Sequence, residues 1–369
     1  MGNNSQIRKI FVLRRNSGQG GAEKSAERLA SQLSRYYSVE RMWAGNPYRG
    51  IVIPGSSGPP WWRSWRYTRH IDGLGLVRKG QLVLSLEYGP DCDIYRAGDG
   101  VHRLNVLRRY GKRKGWMLNP WHWFAPRQER KCLESAKVIV ANSNLVERLL
   151  HTEYPHLAHK TTTIYNGFDP SIYKTTDRPR SQLREALGLP SDGLMLLLSG
   201  HSFVRKGLHH AITLLDRLVH DAGKEAFLVV AGKGDAGFVA EQIKKAGLTR
   251  RIHFLGSVSG IDRYYQAADF MVLPTREDPF SNACLEALAC GCPVITSDQN
   301  GAAEILDETN GMVMGSRFDE ADFVRAAGFI CHFHENPRVV AGTVSHLTQA
   351  DEILAYRNLI GRLFGASGG

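Results

Sequence analysis

Arg205 and Lys206 stand side by side in Gly200-His201-Ser202-Phe203-Val204-Arg205-Lys206-Gly207. An Arg fork and a Lys point charge beside a glycine-rich turn suit a diphosphate, above all where the turn opens a helix with free N–H groups. The alternative is a solvated charge pair next to a turn. The position directly after an apolar run, 194–198, favours the phosphate reading. A second constellation is acidic. Glu277 and Asp278 lie in Arg276-Glu277-Asp278-Pro279-Phe280-Ser281-Asn282-Ala283, and Glu286 follows within a short apolar helix. A carboxylate accepts two hydroxyl hydrogen bonds, as recognition of a sugar or a ribose requires. Taken alone, this corner divides evenly between a binding site and a solvated loop with a helix-surface Glu.

The first half offers weaker signals. Gly20-Gly21 sits at a strand-to-helix corner, where glycines let backbone come close to a ligand. It forms neither a GxGxxG fingerprint nor a Walker A loop, which counts against dinucleotide and NTPase readings. Asp99 and His102 lie past another strand end, in Tyr95-Arg96-Ala97-Gly98-Asp99-Gly100-Val101-His102. They could serve as carboxylate and imidazole in a cleft, or as a turn residue between glycines and a surface His.

The elements that must position these residues alternate. Apolar runs predict strands over 7–13, 82–86, 94–97, 138–141 and 162–165, with helices over 22–33, within 118–136 and over 144–153. The stretch 42–70 reads as irregular. A polar connector, 176–191, carries a short helix at 182–187. Alternation then restarts with strands over 194–198, 227–230, 252–255, 270–273 and 294–296. Helices at 207–222, 236–246, 261–267 and 282–290 fall between these strands, and helical segments dominate after about 319. This is an α/β chain of doubly wound parallel sheets. The expected domains are 1–175 and 192–369, with the last helix packing back on the first.

Size and charge agree with two domains: 369 residues exceed a comfortable single core. No window approaches the roughly 18 apolar residues of a membrane span, and the polar start predicts no secretory signal. The six cysteines show no CxxC pairing and no zinc spacing, consistent with reduced thiols in a cytoplasmic chain. Residues 1–190 hold 31 Lys and Arg against 15 Asp and Glu, whereas 191–369 hold 16 against 21. The two halves are therefore expected to meet different partners.

Together with Ile164-Tyr165-Asn166-Gly167-Phe168-Asp169, Val230-Ala231-Gly232-Lys233-Gly234, His253-Phe254-Leu255-Gly256 and Asn300-Gly301-Ala302-Ala303-Glu304, these motifs occur in one order along the chain. That ordered set resembles the retaining glycosyltransferases of family 4, with the GT-B fold of two Rossmann-like domains facing across a cleft. The resemblance implies that Arg205 and Lys206 hold the diphosphate of a nucleotide-sugar and stabilise the departing nucleotide. Backbone at Ser281, Asn282 and Ala283 would assist, and Glu286 would accept from the ribose. The first acid of the family's E-x7-E pattern touches the donor sugar. Here Asp278 occupies that position with Glu277 beside it, and the contact stays open between them. Gly20 and Gly21 would let the first domain close over the diphosphate. Asp99, then His102, would lie near the acceptor hydroxyl. No metal and no cofactor are expected beyond the co-substrate, a UDP-hexose.

Within the family, Asp93 to Asp99 and a basic-aromatic segment resemble the lipopolysaccharide-core heptose glucosyltransferases. The segment holds Arg108, Arg109, Lys112, Arg113, Lys114, Trp116, Trp121 and Trp123. Trp61-Trp62-Arg63-Ser64-Trp65-Arg66 is a second such cluster. Arg and Lys mixed with Trp favour an anionic membrane surface over nucleic acid, and no nucleic-acid partner is expected. The expected function is hexose transfer, glucose first, from a UDP-sugar to a lipid-linked acceptor such as the lipopolysaccharide inner core, at the inner face of the cytoplasmic membrane. A nucleotide-sugar epimerase and a non-catalytic nucleotide-sugar or glycan binder are the alternatives.

Overall fold

The computed structural model describes residues 9–15, 21–48, 51–54, 57–110 and 114–364; for 21–24, 47–48, 51, 108–110 and 114–115 the description covers backbone alone. The chain divides into two compact units. One holds the residues up to Tyr165 together with those from Glu352 onward, and the other is Asn166–Asp351.

In the first unit β1 (Ile10–Arg14), β2 (Val39–Trp43), β5 (Leu82–Ser85), β6 (Ile94–Ala97), β7 (Val138–Ala141) and β8 (Thr161–Thr163) form a six-stranded sheet in the order β2-β1-β5-β6-β7-β8. All its pairings are parallel. A small antiparallel hairpin, β3 (Pro47–Tyr48) and β4 (Ile51–Val52), stands apart. Parallel strands are covered on both faces, so alternate side chains feed two cores. Ile10, Val12, Leu82 and Leu84 pack with Leu29 and Leu33 on one side, whereas Phe11, Leu13, Val83 and Tyr95 pack with Cys132 and Leu133 on the other.

The second unit repeats the plan with β9 (Leu194–Ser199), β10 (Ala226–Ala231), β11 (Ile252–Gly256), β12 (Phe270–Leu273), β13 (Val294–Ser297) and β14 (Gly311–Met314). Their order is β11-β10-β9-β12-β13-β14, again parallel. Strand order reverses between β9 and β12, and ligands of open α/β sheets bind outside the carboxyl ends at such a reversal. The loops leaving those two strands are Gly200–Gly207 and Pro274–Ser281.

Three features differ from the sequence expectation. The first unit ends at Tyr165 rather than 175, although the last helix, Gln349–Phe364, packs back on it as expected, with Tyr356 and Ile360 fully buried in the core holding Ile10 and Val12. Buried Glu352 fixes that helix by accepting from Arg28 Nη2 at 2.9 Å. The supposed connector 176–191 is part of the second unit. Its helix Arg180–Ala186 carries buried Arg184, which donates to Ala267 O at 2.9 Å, Gly193 O at 2.8 Å and Asp269 Oδ2 at 2.7 Å. Within 42–70, read as irregular, starts the helix Pro60–Leu74. Its inward residues are Ser64, Tyr67, Thr68 and Ile71, two of them small and polar, so the apolar periodicity that announces a helix is missing.

Candidate active site

Leaving β9, the chain turns through Gly200 and reaches Arg205 and Lys206 before Gly207 opens the helix Leu208–His220. Gly207 has φ +77°, and a Cβ there would lie 1.9 Å from Pro274 O, in the loop after β12. Only glycine permits that approach, and it brings the two loops of the strand-order reversal into contact. Ser202 adds a left-handed φ of 64°, held by its N–H on Lys233 O at 3.3 Å, while Lys233 N donates to His201 Nδ1 at 3.0 Å. A non-glycine residue in that region stores strain and persists only where its surroundings hold it.

The second loop answers with carboxylate and carbonyl. Lys206 Nζ donates to Asp278 Oδ2 at 2.6 Å, and both residues are buried, at 7% and 9% exposure. Arg205 Nη1 donates to Glu277 O at 2.9 Å and reaches Asp278 Oδ2 at 3.4 Å. Burial pushes the Asp278 carboxyl up, but the charges of Lys206 and Arg205 outweigh it and hold the group below the usual carboxylate range. Asp278 thus serves two cations with one carboxylate.

Directly beyond, Ser281 precedes the helix Asn282–Ala289 with no side-chain cap on the first turn. The helix start is held from behind. Buried Asn300 accepts from Ser281 N at 3.1 Å and donates to Thr296 Oγ1 at 2.9 Å, and Asn166 Nδ2 donates to Asn282 Oδ1 at 2.6 Å. Ala283 and Glu286 are half-buried on this helix. Tyr265 Oη lies 3.4 Å from Glu286 Oε2, and burial followed by the Glu286 charge raises the Tyr173 phenol. The structure therefore gathers Arg205, Lys206, Glu277, Asp278, Ser281, Asn282 and Ala283 at one end of the second sheet, with Glu286 a turn further on. Asn166 and Asn300 stand in two of the motifs that carry the family resemblance, but nothing in the sequence says that they brace this helix start.

In the first unit, Gly21 begins the helix Gly21–Leu33, and Gly20 lies outside the described residues. Asp99 is exposed beyond β6, and its backbone carbonyl accepts from Asn105 Nδ2 at 2.8 Å. His102 starts the helix His102–Tyr110 and lies among aromatic rings: Tyr88 at 6.2 Å, Trp121 at 6.0 Å and His122 at 5.4 Å. Its Nε2 is 3.2 Å from His122 Nδ1. Burial, then the neighbouring His122, lowers its pKa to about 4, so the ring is neutral near pH 7. Glu129, also buried, accepts from His102 N at 3.0 Å and from Tyr154 Oη at 3.1 Å; burial raises its carboxyl to about 7.

Trp121, among the residues expected to face a membrane, is half-buried, with its ring near His102 and Tyr88 and the Arg15 guanidinium 5.4 Å from its centroid. A Trp beside cations stacks on them as readily as it enters a lipid surface, and the sequence does not separate the two. Trp123 is exposed and donates from Nε1 to Met117 O at 2.6 Å; Trp116 is half-buried, 6.4 Å from it. Lys112 and Arg113 lie outside the described residues, as do the side chains of Arg108, Arg109 and Lys114.

Residues 179–333, which include the whole of this cluster except Asn166, match the family model for glycosyl transferases group 1. An uncharacterized glycosyltransferase of Methanocaldococcus jannaschii is 30% identical over 185 residues, 48% of this chain and 47% of that one. The lipopolysaccharide glucosyltransferase WaaG of Escherichia coli K12 is 22% identical over 317 residues, 82% of this chain and 83% of that one. A crystal structure of WaaG, a glycosyltransferase involved in lipopolysaccharide biosynthesis, shares the fold with a TM-score of 0.75 at 19% identity, covering 98% and 100% of the two chains. Anabaena HepE, solved with UDP and glucose, gives 0.63 at 19% identity and covers 97% and 99%. The chain spans about half the length of several curated relatives that it matches. Residues 179–333 are thus a glycosyl transferases group 1 domain, and the fold that carries them is GT-B.

Proposed function

We propose that the protein is a retaining, metal-independent hexosyltransferase. It moves a hexose, glucose in the first instance, from a UDP-sugar to a lipid-linked glycan such as the lipopolysaccharide inner core. The convergence of Arg205 and buried Lys206 on Asp278, beside an uncapped helix start at the strand-order reversal, carries this reading. In it, Arg205, Lys206 and the N–H groups near Ser281–Ala283 take the diphosphate and stabilise the charge that develops on the leaving nucleotide. Glu286 accepts from the ribose. Asp278 already serves the two cations, which favours Glu277 as the contact to the donor sugar. WaaG and HepE, whose names carry glucosyl transfer and UDP with glucose, support the choice of donor.

The first unit takes the acceptor in this reading, with Asp99 and His102 nearest its hydroxyl. A neutral imidazole paired with His122 can accept a proton that a protonated one cannot. The enzyme works at the inner face of the cytoplasmic membrane as a peripheral protein, with Trp116, Trp123 and the basic segment 108–114 towards the lipid and no cofactor. Among the described residues no helix is long and apolar enough to cross a membrane. A thermal-shift panel of nucleotide-sugars tests the donor half, because a ligand that binds the native state raises the midpoint by mass action. UDP-glucose is expected to raise it most. The absence of a shift with every UDP- and GDP-sugar would overturn the assignment.

A further inference from the structure

The helix Pro60–Leu74 presents two opposite stripes. Ser64, Tyr67, Thr68 and Ile71 face the protein. On the other side Trp61 and Trp62 are each 39% exposed, and Arg66 and Arg69 are exposed further along. The indoles are ordered against one another: Trp62 stacks on Trp65 at 4.9 Å, and the Arg69 guanidinium lies 5.3 Å from the Trp65 centroid. Beside this stripe is a cavity of about 530 Å³ lined by Pro54, Trp65, Arg66, Arg69, His70 and the turn at Gly73–Leu74. No carboxylate is among its described lining residues. Asp72, the one acid of the helix, is engaged elsewhere, accepting from Lys131 Nζ at 2.5 Å and from Asp91 N at 2.9 Å.

We propose that this helix is a membrane-docking element for an anionic phospholipid surface, in which Arg66 and Arg69 hold a headgroup phosphate in the cavity while Trp61 and Trp62 enter the interfacial layer. Two observations select a lipid over other polyanions. The Arg66 and Arg69 guanidiniums line one open depression, and the exposed indoles sit at one end of the same helix, which is the division of labour at a bilayer interface. The proposal rests on the reading that the acceptor is membrane-borne. It adds a specific headgroup site on an element separate from the basic-aromatic segment 108–123.

The test is flotation of the full-length protein with phosphatidylcholine vesicles, with and without phosphatidylglycerol. The wild type is expected to float with the anionic vesicles and not with the neutral ones. Arg66→Gln with Arg69→Gln should lower the partition constant about 30-fold, whereas Arg66→Lys with Arg69→Lys should retain most of it. Trp61→Ser with Trp62→Ser should reduce quenching of tryptophan emission by brominated lipid, the remainder coming from Trp116 and Trp123. All these side chains are exposed, so melting temperature and UDP affinity should match the wild type. The proposal is overturned if the Gln and Ser variants float as the wild type does, if the wild type floats with neither vesicle, or if single-stranded RNA displaces it from anionic vesicles. Vesicle binding through this helix without UDP binding would uphold the docking site and refute the transferase reading instead.

Discussion

Replacing Asp278 by Asn separates the two jobs that this position could perform. Lys206 Nζ and Asp278 Oδ2 are 2.6 Å apart with both residues nearly inaccessible. Deleting one partner of such a pair costs about 3–5 kcal/mol, because the other charge is left buried. Asn keeps an oxygen in place, so the expected loss at neutral pH is about 2 kcal/mol, the worth of a charged hydrogen bond. The carboxyl is held low in the folded state, so its contribution is complete above the unfolded value near 4 and is lost as pH falls further. Variant and wild type should therefore converge as pH falls through the lowered folded-state value. UDP should reverse the picture. Its diphosphate replaces the missing charge and no longer competes with a carboxylate, so affinity should rise about tenfold, or 1.4 kcal/mol. Urea unfolding at several pH values gives the first quantity, and calorimetric titration with UDP and with UDP-glucose gives the second. If the gain disappears with UDP-glucose, Asp278 also touches the sugar. A variant as stable as the wild type, with unchanged or weaker UDP affinity, would refute the account of the cluster.

Glu129, raised to about 7 by burial, keeps its proton on folding while the unfolded chain releases it. Stability should then fall by about 3 kcal/mol as pH rises from 4.5 to 7, and Glu129→Gln should flatten that slope in urea unfolding. Glu352→Ala removes the carboxylate that Arg28 and Arg96 share, their Nη2 atoms lying 2.9 and 3.8 Å from it. A loss of about 3–5 kcal/mol is expected in the first unit, and less than about 1 kcal/mol would contradict the anchoring role. Gly207→Ala places a methyl 1.9 Å from Pro274 O at a φ of +77°, so thermal unfolding should show at least about 2 kcal/mol of destabilisation together with weakened UDP binding. An unchanged midpoint would mean that the two loops can separate freely.

The second unit was legible because its strands are short apolar runs closed by Gly or Pro, and because Arg205, Lys206 and the acids each follow a strand end. What the spacing could not convey was pairing. Nothing in the sequence says that Asp278 spends its charge on Lys206 rather than on a ligand, since both uses call for the same carboxylate in the same loop. The first unit was harder to read. The helix Pro60–Leu74 packs through Ser64 and Thr68 and shows its tryptophans to solvent, inverting the usual periodicity. Trp121 joins Tyr88, His102 and Arg15, contacts made across the fold and invisible locally.

The helix that begins at Gln349 and supplies Tyr356 and Ile360 to the first core also fixes an order of events during synthesis. A ribosome has made all of Asn166–Asp351 before it reaches the residues that finish the first unit. The second unit is continuous in sequence and can close as soon as it emerges. The first must wait with one face of its sheet only partly covered, by the helix Gly21–Leu33, although it was translated earlier. Its completion pairs residues separated by nearly the whole chain, a slow closure that leaves Ile10, Val12 and Leu84 open to chaperones or to other chains in the meantime. Chain order and folding order are thus opposed in this protein, and a nascent chain stalled before Glu352 should hold a folded second unit behind an unfinished first.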